Sequence, residues 1–320
     1  MSLLIPDNNV LLQFVPNVLK SVQGETLLFD KIAPHLEVAE AWLTTTFLSE
    51  AILTELPTRY ANNKLLHYAR MAVVAETMLH AVPQLDLVLT PNGFGVVSNT
   101  NIAPASKERV ERLLLSLEKM RDDTLSILLP LLANTEVWAT SAPCQYFEQT
   151  LYPWLDLPRK LGSTDHIWQR FQELHSRMVE NEQRLAANFF SVSLMDALRH
   201  AQLFGAWETT PSAPHYKRAW QHIFAIELYM LRENECPVPS CVEVVNALRN
   251  APDGVFEEWK QSNVAQFFWK SWVSEQKMQW RLLVLKIFIY LRKQKNITHE
   301  KNRITFYHIT FICSIRVVQQ

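Results

Sequence analysis

The chain has 320 residues, 48% of them hydrophobic and 20% charged, with 31 basic against 32 acidic side chains. That near balance excludes a global electrostatic attraction to nucleic acid or to an anionic membrane, so any such contact has to be local. The length accommodates two ordinary domains, each with a real core.

The opening stretch, MSLLIPDNNVLLQFVPN, lacks the basic start and continuous apolar core of a secretory leader, which predicts a protein that stays in the cytoplasm of the cell that makes it. Between Leu28 and Leu56, apolar residues recur at Ile32, Leu36, Ala39, Leu43 and Phe47, the three-and-four spacing of one helix face. Pro34 is tolerable there because it lies near the start. A second helix is expected from about Asn63 to Ala81, ended by Pro83. The next stretch, LDLVLTPNGFGVVSNTN, reads as a β-hairpin at about 85–99 and holds two of the six glycines in the chain. Asn92-Gly93 is expected to make its turn. A third helix is expected from Ala105 to Leu129, with Val110, Leu113, Leu114, Leu117, Met120 and Leu128 on one face and Lys107, Glu108, Glu111, Arg112, Lys119 and Arg121 off it.

The second half echoes the first. A shift of 142 residues without a gap sets Phe29 on Phe171, Ile32 on Leu174, Glu40 on Glu182, Leu43 on Leu185, Phe47 on Phe189, Ser49 on Ser191 and Leu56 on Leu198. Ala75-Glu76 resembles Ile226-Glu227 in the helix that follows. The chain is therefore expected to be mainly α, with two related helical modules: 1–132, which carries the hairpin, and 163–275. A Pro- and aromatic-rich linker, 133–162, joins them. The hairpin has no counterpart in the second module, where RENECPVPSC covers the join. An element present in one copy and shortened in the other is a candidate for contact with something else. The bland alternative is a hairpin folded over its own helices.

Residues 287–320 read as an atypical tail. They hold seven isoleucines, against eight in the preceding 286 residues, and six basic residues against Glu300, a net of +5 that leaves −6 on the rest. A basic tail can bind nucleic acid; the plainer reading is an appended or frame-shifted segment. The longest late apolar run, Leu282 to Leu291, includes Lys286 and is about half the ~20 residues of a membrane span.

Motifs for chemistry are scarce. The sequence contains no Glu-x-x-His, His-Glu-x-x-His, Walker loop, Gly-x-Ser-x-Gly or Gly-x-Gly-x-x-Gly. Glu76 and His80 share a helix face, a pairing common on solvated surfaces. Cys236-Pro-Val-Pro-Ser-Cys241 reads either as half a metal site or as free thiols in a Pro-rich turn. No catalytic residue, cofactor or metal is expected. The ten tryptophans suit cores and protein contacts better than base stacking.

The block LTPNGFG…SN.N.APASKERVERL, with FDKIAPHLEVAEAWL upstream and NALRNAPDGVFEEWKQSNVAQFF near the end, resembles an uncharacterised family found in phages and prophages of Bacteroides-type gut bacteria. The resemblance covers Met1 to about Ser274 and departs near Trp269, where members finish with a short glycine-containing end. Members lie among virion structural genes, which implies a virion protein, assembled in the bacterial host cytoplasm. The first module is similar to head-completion or head–tail connector proteins that form rings under the portal. The implied partners are further copies of the chain and the portal or neighbouring tail proteins, with no membrane and no enzymatic activity. The implied contact surface is the hairpin, through Leu87, Val88, Leu89, Asn92, Gly93, Phe94, Gly95, Val96 and Val97. The rivals are a helical-bundle enzyme or ligand-binding protein and a phage DNA-binding or packaging accessory protein.

Overall fold

The three-and-four spacing of apolar residues forms helix α2 (Leu28–Leu43), which buries Ile32, Leu36, Ala39 and Leu43 on one stripe. The short α1 (Asn8–Leu12) precedes it, capped by Asp7, whose carboxylate accepts the Val10 N–H at 2.9 Å. The computed structural model describes residues 2–15, 27–61, 63–85, 88–90, 93–95, 106–209 and 212–267, with 88–90, 93–95 and 208–209 described by their backbone alone. The atypical tail at 287–320 lies outside the described residues.

The helix expected to run unbroken to Leu56 is interrupted. A π-turn spans Thr44–Leu48, Ser49 takes φ 86° and ψ 155°, and α3 (Glu50–Glu55) restarts the helix. The Ser49 N–H donates to the Thr44 carbonyl five residues back at 2.8 Å, and the Thr44 hydroxyl bonds back to the Glu40 carbonyl at 2.7 Å. Ser49 occupies a backbone region that is almost exclusively glycine's, and its Oγ accepts the Ile52 N–H at 3.4 Å as a cap. Periodicity does not register this break, because the apolar stripe continues across it.

Helix α4 (Lys64–Leu85) runs on through Pro83, which sits in the last turn and costs one backbone bond there. After it come β1 (Val88–Thr90) and β2 (Gly93–Gly95), paired antiparallel with Val88 opposite Gly95, Leu89 opposite Phe94 and Thr90 opposite Gly93. Gly93 is thus a ladder residue rather than half of an Asn92-Gly93 turn; Asn92 lies outside the described residues. Helix α5 (Lys107–Ala133) is longer than expected and packs along α4.

The chain continues through a 3₁₀ turn (Trp138–Thr140), α6 (Ala142–Phe147), α7 (Leu157–Lys160) and α8 (Ile167–Leu185). A second π-turn (Ala186–Phe190) follows, then α9 (Val192–Phe204), a 3₁₀ turn (Ala206–Thr209), α10 (Ala213–Glu233), α11 (Val238–Arg249) and α12 (Glu257–Gln261). The protein is mainly α.

Local geometry recurs at the 142-residue shift. The π-turn at 44–48 corresponds to the one at 186–190, and Ser49 corresponds to Ser191, at φ 62° and ψ 153°, which also caps the following helix. Buried Glu40 corresponds to buried Glu182, and each takes a backbone N–H from a preceding segment, Leu4 at 2.7 Å and Leu151 at 2.6 Å. Each π-turn also exposes a carbonyl to an indole. Trp138 Nε1–H donates to the Phe47 carbonyl at 2.6 Å, and Trp259 Nε1–H donates to the Phe189 carbonyl at 3.1 Å.

The stretch expected to link two modules is core. Trp138, Cys144, Phe147, Leu151 and Leu157 within it are fully buried. Phe47 sits 4.9 Å from Trp168 and 5.4 Å from Phe147, ring centre to ring centre, and Phe147 sits 6.1 Å from Phe171. One apolar cluster runs from Leu4 to Leu231, and Met1–Val264 form one compact unit.

Two outcomes follow from the π-turns. Trp138→Phe keeps the ring but leaves the Phe47 carbonyl without its donor, and is expected to lower unfolding free energy by about 1–3 kcal/mol in urea titration. At Ser49, alanine loses the cap and keeps the backbone strain, whereas glycine loses the cap and relieves it. Ser49→Gly is therefore expected to unfold at higher urea than Ser49→Ala, with Ser49→Ala about 1 kcal/mol below the parent.

Candidate interaction site

Helix α5 belongs to two environments. From Asp122 onward it buries Thr124, Leu125, Leu128, Leu129 and Leu132, whereas its first half stands clear of the core. Leu113 and Leu115 are 46% and 52% exposed, and Leu85 at the end of α4 is 39% exposed. The apolar residues expected on one buried face of this helix, Val110 to Leu117, are consequently not buried. This projecting part of the α4–α5 pair carries the hairpin. Of the expected contact residues, Val88, Leu89, Gly93, Phe94 and Gly95 lie in the two strands, while Leu87, Asn92, Val96 and Val97 lie outside the described residues.

A groove of about 530 Å³ opens where the projecting part meets the core, lined by Leu79, Leu114 and Leu115 with Glu76, Glu118 and Arg121 among its polar groups. Arg121 organises it. Its guanidinium bonds Glu76 at 3.0 Å and Asp122 at 2.9 Å and lies 3.5 Å from Glu118. Burial alone works against this charge, but the Asp122 and Glu76 carboxylates outweigh it and raise the Arg121 pKa. Burial raises the Asp122 carboxyl, with Arg121 opposing. Asp122 also accepts the Trp168 N–H at 3.2 Å, and His166 Nδ1 meets Glu118 at 2.9 Å, a bond that raises the imidazole pKa. His80 meets Glu76 at 3.1 Å. Three carboxylates thus surround one guanidinium, with two imidazoles and an apolar wall completing the groove. Sequence reading placed Arg121 on the solvated back of the helix. Its pairing with Glu76, 45 residues away, depends on how α4 and α5 pack and leaves no local signal.

In the second half, Glu227, which the sequence sets beside Glu76, lies in a sealed cluster. Glu182 accepts from Leu151 N–H and, at 2.7 Å, from Arg199, which also pairs with Asp196 at 2.8 Å. Glu227 is fully buried, and neither of its oxygens receives a hydrogen bond. Burial and then the adjacent Glu182 carboxylate hold the Glu227 carboxyl well above the usual range, with Arg199 opposing. Both carboxyls are at zero exposure, so this pair does not face a solvent-accessible cleft.

Residues 15–148 match a family described as "Family of unknown function (DUF6712)". No curated protein and no solved structure matches the chain.

Replacing Arg121 with methionine strands the Glu76 and Asp122 carboxylates and is expected to cost about 3 kcal/mol in chemical denaturation. Glu227 gives a signed pH dependence. Its carboxyl keeps its proton in the folded state and loses it in the unfolded state above the ordinary value of about 4.3, so the stability it contributes is present in acid and lost as pH rises. Between about pH 5 and pH 8, Glu227→Gln is expected to flatten that decline, measured as thermal midpoint against pH.

Proposed function

We propose that the chain is two copies of one helical module acting as a non-catalytic virion adaptor at a phage head–tail junction, in head-to-tail contact with further copies of itself and with the portal. The observation that carries this reading is the solvated first half of α5, with Leu113 and Leu115 exposed on the helix that follows a paired β-ribbon in the chain. In a ring each subunit offers one surface to a different surface of the next, and a projecting ribbon with an apolar base supplies the first of these. The groove, with its wall of Leu79, Leu114 and Leu115, supplies the second. The family resemblance of the sequence supports the virion setting.

The groove also favours a second reading, a ligand-binding bundle, because His80, His166, Glu76 and Glu118 converge on an open concavity. The two readings differ in what binds there.

Light scattering of the full chain across a concentration series, alone and with the portal protein encoded nearby, tests the adaptor. A ring-sized species or a stable portal complex is expected. Leu113→Asp with Leu115→Asp, both at exposed positions, is expected to abolish that association while leaving the circular dichroism of the helices unchanged. A monomer indifferent to the portal at high concentration overturns the adaptor.

A further inference from the structure

The join between α10 and α11 holds two thiols that the reading above does not use. Asn234 ends α10 in a left-handed conformation, φ 58°, and its N–H donates to the Met230 carbonyl. Only Glu235, Cys236 and Pro237 separate it from the start of α11 at Val238. The Val238 N–H donates to the Cys236 carbonyl at 2.9 Å, and the Cys241 N–H donates to the Pro237 carbonyl at 3.1 Å. Pro237 and Pro239 fix two further φ angles, so this turn has little freedom to separate its cysteines. Cys236 is half-buried and Cys241 is buried on the first turn of α11, and their sulfurs lie 3.8 Å apart. A disulfide needs about 2.05 Å, so bond formation asks for a contraction of under about 2 Å within one short turn. A closed zinc site takes four ligands, and among the described residues no group of three or more His, Cys, Asp or Glu is placed to hold a metal.

We propose that Cys236 and Cys241 form a thiol–disulfide exchange site that reacts with low-molecular-weight disulfides such as oxidised glutathione and locks the α10–α11 turn. Cys236, the more accessible thiol, loses its proton to solvent and attacks one sulfur of the small disulfide. The small S–S bond breaks, a mixed disulfide forms on Cys236, and one small thiolate leaves. Cys241 then gives up its proton and attacks the Cys236 sulfur, displacing the second small thiolate. Two protein thiols are oxidised by loss of two hydrogens, and one small disulfide is reduced to two thiols. Burial, and then the neighbouring Cys236, push the Cys241 thiol up to about 12, which makes the second step the slow one.

The test uses the folded full-length chain incubated with oxidised glutathione at mildly alkaline pH, quenched in acid and cleaved after glutamate. The fragment 236–243 is expected first to carry glutathione and then to lose it, ending two hydrogens lighter than the dithiol. Cys241→Ser is expected to stop at the adduct on Cys236. In the oxidised parent, amide exchange across 234–241 is expected to slow. A parent fragment that remains a dithiol, or that keeps its adduct without closing, overturns the site. Closure with unchanged amide exchange overturns the lock.

Discussion

The hydrogen bond from the Trp138 indole to the Phe47 carbonyl fixes how the parts of this protein meet. A π-turn frees a carbonyl that an α-helix would have satisfied internally, and a buried carbonyl without a donor is costly. Trp138 answers that need from 91 residues away and brings its own ring against Phe147, 6.3 Å centre to centre. Phe147 in turn meets Phe47 and Phe171, and Phe47 meets Trp168. A backbone demand on one helix thus positions an aromatic seam joining α2, α6 and α8. The Phe189–Trp259 bond reproduces the same solution in the second half.

Buried carboxylates are the second recurrent device, and there the halves differ. Glu40 and Glu182 each hold a preceding segment by its backbone N–H groups, an anchoring role that suits a charge-assisted acceptor. Glu76 is met by Arg121, reaching across from α5. Glu227 meets no cation of its own and is held as a neutral acid against Glu182. Glu76 is an ion-pair partner at the rim of a groove, and Glu227 is a sealed acid.

The joins diverge in the same way. Between α4 and α5 the chain makes a ribbon, and the helices that flank it leave Leu85, Leu113 and Leu115 exposed. Between α10 and α11 it makes a tight Pro-flanked turn that holds two thiols in contact.

Much of this was legible in order of residues. The stripe Ile32, Leu36, Ala39, Leu43 is local, since helix periodicity alone selects those positions, and all four are buried. The 142-residue shift pairs Glu40 with Glu182 and Ser49 with Ser191 as well as apolar phase, and a π-turn precedes each of the two serines. Turn chemistry marked the region of the ribbon, although the register places Gly93 in the ladder. What sequence could not deliver is every feature that depends on a distant partner. The break at Ser49 leaves the apolar stripe intact, and Arg121 finds Glu76 only when α4 lies along α5. The apolar stripes of the long helices are written locally, for they follow from steric and hydrophobic terms acting within a few turns. The tertiary structure decided which apolar faces are covered and which charges are paired, because burial and ion pairing depend on groups brought together from far along the chain.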